Sequence, residues 1–433
     1  MPTLPLPWLR PRAGDRPPSR SIRRTLSTLV VVSLLALPGP GAEGAELIGY
    51  AVLHADTFAA GPPSGAFGRT GERGMPRFPA QPVQGFSAIR PLGGGAFLVL
   101  SDNGFGTRKN SPDYLLRIYT IRPDPRTAQG GTGAIAVDYT FVQLRDPDRK
   151  VNFLIVNENT ADRLLTGADF DPESLVAGRD GTLWVGEEFG PFLLHFDATG
   201  RLLAPPIRVP DPRPGKDPAK DFVRSPDNPF LVPPPPGAPN PANLGRSKGF
   251  ENMTLSPDGT RLYAMLEGPL AGDPADRLLI LEFDLATERF TGRSWAYRMT
   301  TPGHAVRDMA SVSENEFLVI EGDEGHGPKA QYKKIFLIDL GRKDAEGYVA
   351  KEEVADLLNI RDPNNLAGFG PKFAFPYWTI EGVAPLDPTS IVVVNDNNYP
   401  LAGARRPGVR DSNEFLVLKL DRALNLDPRL AVK

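Results

Sequence analysis

One short unit recurs five times in this chain and narrows its fold to a small set. Each copy is an apolar strand, a tight turn, a second apolar strand and a loop rich in acids and glycine. The copies are Gly85-FSAIRPLGGGAFLVLSDNGFG, Asp171-PESLVAGRDGTLWVGEEFGP, Gly249-FENMTLSPDGTRLYAMLEGP, Val306-RDMASVSENEFLVIEGDEGHG and Ile380-EGVAPLDPTSIVVVNDNNYP. A further apolar strand follows each: Tyr114-LLRIYTI, Phe192-LLHFD, Arg277-LLILEFD, Lys334-IFLIDL and Glu414-FLVLKLD.

Turn dipeptides such as Asp180-Gly181 and Asp258-Gly259 between β-rich runs indicate antiparallel hairpins. A unit of four strands repeating at intervals of 57 to 86 residues fits propeller blades rather than a solenoid. The expected fold class is therefore all-β, a β-propeller of four-stranded antiparallel blades. Six blades are expected, with five or seven also compatible. The leader strand at 46–58 closes the ring or contributes to a sixth blade. Little looks helical, and the best short candidate runs from Glu352 to Ile360.

In each hairpin the first strand leaves its leading residue and the second returns. The start of one and the end of the other share an edge of the blade. Glu173 and Glu187 are 14 residues apart, Glu251 and Glu267 16, Asp308 and Glu321 13, and Glu381 and Asn395 14. First strands line the channel of a propeller, so these edges converge on one mouth. The set collected there is Asp102, Asn103, Glu173, Glu187, Glu188, Glu251, Glu267, Asp308, Glu321, Asp323, Glu324, Glu381, Asn395, Asp396 and Asn397. Crowded carboxylates repel one another in a desolvated funnel. A hard divalent cation removes that repulsion, and Ca²⁺ accepts about six to eight oxygen ligands from flexible loops. The oxygen-only donor set disfavours zinc and copper and leaves Mn²⁺ or Mg²⁺ open. Capping of turns by Asp and Asn is the structural alternative for any one of these residues.

Composition bounds the partners. A net charge of −3 over 433 residues argues against nucleic acid and polybasic membrane binding. The absence of cysteine removes thiol catalysis, zinc–thiolate and iron–sulfur chemistry. Residues 1–45 order basic, apolar and small residues as an export signal does. Six arginines precede Leu26 to Leu37, and Arg23-Arg24 before Leu26 is a partial twin-arginine signal. A periplasmic or secreted location is expected, with residues 46–433 as one propeller domain, monomeric because the ring is self-contained. A proline-rich insertion at about 203–247 interrupts it; residues 205–241 hold 14 of the 47 prolines.

The repeats GFENMTLSPDGTRLYAMLEGP and TIEGVAPLD…VVVNDN resemble the bacterial phytase-like family, whose domain is described as having esterase-like activity of phytase. The resemblance covers about residues 48 to 430. It implies a propeller bearing Glu and Asp residues and phosphoesterase-type activity. Position by position, it supports Glu173, Glu251 and Glu381 as leading acids. It also supports Asp102, Glu187, Glu267, Glu321 and Asn395 to Asn397 in the loops. Blade one departs, because Gly85-Phe86-Ser87 has no leading acid.

No G-x-S-x-G elbow, H-E-x-x-H or Walker loop occurs in the sequence. The residues fit metal-assisted hydrolysis of a small phosphorylated or ester substrate, with no organic cofactor. Glu188 or Glu324 is the candidate general base, and His326 in the acid loop is a candidate acid–base group. Arg108, Lys248 and Lys329 are candidate phosphate contacts. A calcium-dependent lactonase or carboxylesterase, and a binding propeller with structural calcium, remain the alternatives.

Overall fold

The computed structural model describes residues 44–431 apart from 69–73, 233 and 236. The export-signal reading of residues 1–45 thus lies outside the described residues except at Gly44 and Ala45. Among the described residues, the strands form five four-stranded antiparallel units. Blade one is Ala88–Gly93, Ala96–Leu100, Arg117–Asp124 and Ala134–Gln143. Blade two is Pro172–Ala177, Leu183–Glu187, Phe192–Phe196 and Ile207–Arg208. Blade three is Asn252–Leu255, Arg261–Met265, Arg277–Asp284 and Arg289–Arg298. Blade four is Ala305–Ser311, Glu316–Gly322, Lys333–Lys343 and Val349–Asp356. Blade five is Thr379–Asp387, Ser390–Asp396, Asn413–Lys419 and the N-terminal Glu46–Leu53.

The five first strands neighbour one another in sequence order, and the fifth neighbours the first. The ring therefore closes at five blades, not the six expected. The leader strand makes the closure: Glu46–Leu53 pairs antiparallel with Asn413–Lys419 and becomes the outer strand of blade five. No material is left over for a sixth blade among the described residues.

Alternation along the strands buries side chains on both blade faces, so the core divides into layers between neighbours. One layer joins Ala88, Leu100 and Ile118 to Leu175, Val185 and Leu194. The next joins Val176 and Trp184 to Met253 and Leu262, and a third joins Tyr263 and Met265 to Val306 and Val319. Ala310 and Leu318 meet Val383 and Ile391, and Val392 and Phe415 meet Ile89 and Val99. Five interblade layers again require five blades.

Local chemistry sets the hairpins. In blades two and three the turn is Asp-Gly-Thr, with the glycine in the left-handed region. The aspartate Oδ1 accepts the threonine backbone N–H, at 3.0 Å from Thr182 and 2.9 Å from Thr260. The expected helix at Glu352 to Ile360 is instead the end of strand Val349–Asp356, a turn at 357–359 and the start of the short strand Ile360–Arg361; pairing with Lys333–Lys343 overrides helix propensity. The proline-rich insertion gives blade two its fourth strand and sends Val209, Val223 and Leu244 into the layer between blades two and three.

Candidate metal centre at the channel mouth

In blades two, four and five the leading residue sits where the ladder is irregular. Register shifts fall between Pro172 and Ser174, between Val306 and Met309, and between Thr379 and Gly382. Such bulges re-aim side chains near functional sites. Equivalent positions, each after an apolar residue or proline, are Ser87, Glu173, Glu251, Arg307 and Glu381. Blade four therefore places an arginine where sequence spacing put Asp308.

A second tier comes from the ends of the second strands. Glu188 and Glu267 donate their backbone N–H to Asp171 and Gly249 carbonyls, at 3.0 and 2.8 Å. Gly322 pairs with Ala305 and Asp396 with Thr379. Asp102 lies against Gly85, whose positive φ and missing Cβ leave room for the carboxylate. The tier is Asp102, Glu188, Glu267, Gly322 and Asp396. Blade four departs again, with a glycine in place of an acid. The Lys333 ammonium lies over that glycine, donates to the Trp378 carbonyl at 2.9 Å, and is pushed down to about 8 by burial.

Together the two tiers bring carboxylates into three overlapping groups: Asp171, Glu173 and Glu188; Glu173, Glu251 and Glu381; Glu188, Glu251 and Glu267. Within each group one oxygen per residue lies within 4.8 Å of the others, and every member is buried. Glu173, Glu188 and Glu251 are each shared by two groups. An ionised pair at that separation repels by about 3–4 kcal/mol at an effective dielectric near 20. Two cations reach the cluster. Arg307 lies 3.0 Å from Glu251, 2.9 Å from Glu267 and 3.6 Å from Glu381, and Lys248 lies 2.7 Å from Glu267. They do not balance the acids. Burial, then neighbouring carboxylates, pushes Glu173, Glu188, Glu251 and Glu381 well above the ordinary range. Burial, with Asp102 adding, pushes Asp171 up to about 7. Glu251 Oε2 is buried with no hydrogen-bond partner. This oxygen-only, proton- or cation-deficient set fits a hard divalent ion.

The structure does not bring every expected residue here. Glu187, Glu321 and Asn395 lie one position before the second tier, and strand alternation turns them to the other face. Glu187 accepts the Phe189 and Gly190 backbone N–H at 2.9 and 2.7 Å, and burial pushes it up to about 8. Asn395 ties adjacent strands by accepting the Glu414 N–H at 2.7 Å. Glu321 faces outward to Tyr297, Lys351 and His304, at 2.5, 2.5 and 3.2 Å. Against the upward push of burial, Lys351 and Tyr297 hold Glu321 below its ordinary value.

Asp308 points down the channel to Arg90, whose two terminal nitrogens lie 3.0 and 3.1 Å from it. Arg90 also donates to the Leu175 and Met253 carbonyls, and Asp308 accepts the Val383 N–H at 2.9 Å. One ion pair thereby ties the first strands of all five blades, and both Asp308 oxygens are taken.

Asp323 is absorbed by its own loop, accepting from Gln331 and Tyr332 and pairing with Lys333 at 3.1 Å. Glu324 stays on the rim, 2.9 Å from Arg307. His326 Nδ1 accepts the Trp378 N–H at 3.2 Å, while Nε2 lies 3.0 Å from Asp411 Oδ2 without forming a hydrogen bond. Its bond to the Trp378 backbone fastens the loop. Asn103 and Asn397 bond backbone groups. Arg108 lines a separate cleft of about 520 Å³ with Lys109 and Arg246. Lys248 belongs to the acid cluster, and Lys329 is exposed in the turn Gly327–Lys329.

Sequence reasoning missed Asp171, Arg307, Lys333 and Trp378. Phasing each repeat on the apolar residue before its leading position (Phe86, Phe250, Val306, Ile380) would have selected Arg307 over Asp308. Asp171 opens its own repeat. Lys333 and Trp378 carry no repeat signal.

The profile of the phytase-like family, described as esterase-like activity of phytase, matches residues 81–399. The chain belongs to the phytase-like family. A stretch of 184 residues is 30% identical to a protein of Arthroderma benhamiae named an uncharacterized secreted protein. That match spans 37% of this chain and 36% of the fungal one, so the chain spans about a third of that relative. Among solved structures, a calcium-binding regucalcin from Agrobacterium tumefaciens aligns over 89% of this chain and 93% of its own, at 12% identity and a TM-score of 0.34. A PQQ-bound aldose sugar dehydrogenase from Streptomyces coelicolor aligns over 86% and 98%, at 12% and 0.29. At such scores these likenesses carry no argument about chemistry. The family match gives the phytase-like assignment, and the five four-stranded units give the propeller.

Proposed function

We propose that this phytase-like protein is an exported, calcium-dependent hydrolase of phosphoesters. The observation that carries the reading is the three-group carboxylate cluster with its unpartnered Glu251 oxygen at one end of the channel. Asp171, Glu173, Glu188, Glu251 and Glu381 would hold the metal. When bound, such an ion neutralises phosphoryl oxygens and lowers the pKa of a coordinated water.

The chain's own residues supply the rest. Arg307, buried and shared among Glu251, Glu267, Glu381 and Glu324, is the cation placed to meet an anionic group entering the mouth. Glu324, on the rim and bonded to Arg307 and the Trp378 indole at 2.9 and 2.5 Å, is the carboxylate placed to exchange a proton with solvent. The cationic cleft beside the mouth, with Arg108, Lys109 and Arg246, favours phosphorylated over neutral esters. The basic, apolar and small-residue order of residues 1–45 supports export, as does the name of the fungal relative. Among the described residues no helix is long and apolar enough to cross a membrane.

The test is a substrate panel on chelator-stripped residues 46–433: p-nitrophenyl phosphate, bis-p-nitrophenyl phosphate, phytate and p-nitrophenyl acetate, with and without Ca²⁺. Calcium-restored turnover of phosphoesters, abolished in Glu251→Gln, is the expected result. Turnover of the acetate alone would replace this reading with a carboxylesterase, and no turnover would leave a binding propeller.

A further inference from the structure

Beside the acid cluster, and sharing Gly106 with the cationic cleft, lies a second cleft of about 460 Å³. That volume falls in the range of about 300–1,000 Å³ usual for small-molecule sites. Its wall is aromatic: Phe78, Phe105, Trp378 and Tyr399. Its floor includes Asp102, a member of the second carboxylate tier, so the cleft and the metal centre share a boundary.

The wall is fixed before anything binds. Trp378 is 39% exposed, yet each of its polar groups is fastened. Its backbone N–H donates to His326, its carbonyl accepts from Lys333, and its indole N–H donates to Glu324. Tyr399 donates its hydroxyl to Asp56 at 2.7 Å and packs on Phe78 with ring centroids 5.0 Å apart. Phe105 stacks on Phe78 at 5.6 Å and meets Tyr114 edge-on at 5.4 Å. These rings buttress one another and leave a surface facing the cleft. A preorganised aromatic surface receives a planar group with little ordering entropy to lose.

We infer that this cleft receives the planar, ring-bearing leaving group of the substrate, so that the preferred esters are phosphates of aromatic or heteroaromatic alcohols rather than of short alkyl alcohols. The inference rests on the phosphoesterase reading for the position of the phosphoryl group, and it accounts for His326 and Lys333 as residues that hold Trp378 in place.

Binding without chemistry separates the two claims. Phenylphosphonate and methylphosphonate carry the same anionic head and cannot lose an alkoxide. Their affinities for the calcium-loaded protein are to be measured by calorimetry, alongside calcium titration and turnover of p-nitrophenyl phosphate. The expected result is at least ten-fold tighter binding of phenylphosphonate. In Trp378→Ala, and independently in Phe105→Leu, that preference falls to within three-fold while calcium affinity is unchanged. Equal affinity of the two phosphonates, a preference that survives both substitutions, or no binding of either would overturn the assignment of the cleft. Turnover without the preference refutes the cleft and leaves the hydrolase standing. The preference without turnover refutes the hydrolase and leaves the cleft standing.

Discussion

Asp308→Asn is the substitution on which the sequence and the structure disagree most sharply. As a member of the acid set, Asp308 would bind metal, and its loss would weaken calcium binding. In the structure it is fully buried, held by Arg90 at 3.0 and 3.1 Å, and joined through that pair to the first strands of every blade. Removing its charge leaves the Arg90 guanidinium, only 14% exposed, without its counterion. Breaking one side of a buried pair costs about 3–5 kcal/mol. For a domain of about 390 residues the unfolding entropy is roughly 0.8 kcal/mol/K, so Tm should fall by about 4–6 °C. Differential scanning calorimetry on Asp308→Asn, Arg90→Met and the double variant reads this directly. The double variant should lose less than the sum of the singles, by about 1–3 kcal/mol, because the two residues share one interaction. A Tm unchanged within a degree, together with ten-fold weaker calcium binding, would refute the clasp and restore Asp308 as a ligand.

Other outcomes follow from the electrostatics. Carboxyls raised in the fold stabilise it below their unfolded pKa near 4 and lose that contribution as pH rises through the folded value. Asp171, pushed up to about 7, should by itself make the metal-free protein about 4 kcal/mol less stable at pH 8 than at pH 4. Urea titrations should show this slope without calcium and its flattening with calcium. Glu321 has the opposite sign: held low by Lys351 and Tyr297, it stabilises above about pH 4 and loses that contribution as pH falls. Glu321→Gln should cost about 3 kcal/mol at pH 7 and remove part of the acid sensitivity, with calcium affinity unaltered, as denaturation and calorimetry would register. Arg307→Gln should weaken inhibition by inorganic phosphate at least ten-fold while calcium still binds, a split visible in steady-state kinetics.

Strand alternation explains what was legible in the sequence. The repeated apolar pairs, the Asp-Gly turns and the acids at the blade edge are periodic signals, and they carried both the propeller and the mouth at Glu173, Glu251, Glu267 and Glu381. What failed was phase. Glu187, Glu321 and Asn395 differ from Glu188, Gly322 and Asp396 by one residue, and one residue in a strand exchanges the two faces. Bulges at the leading positions hid the same slip between Arg307 and Asp308. The leader strand closes the ring against the C-terminal strand, as its sequence suggests, and because Glu46–Leu53 completes blade five the count is five, one of the compatible numbers, rather than six. Lys333 and His326 act on the site through Trp378, a three-dimensional contact that no spacing encodes.

The most direct measurement is calorimetric titration of the chelator-stripped protein with calcium, beside Glu251→Gln and Glu321→Gln. The account predicts saturable binding in the wild type, loss of at least ten-fold in affinity in Glu251→Gln, and wild-type binding in Glu321→Gln. Absence of calcium, manganese and magnesium binding to the wild type would contradict it, as would equal binding by Glu251→Gln.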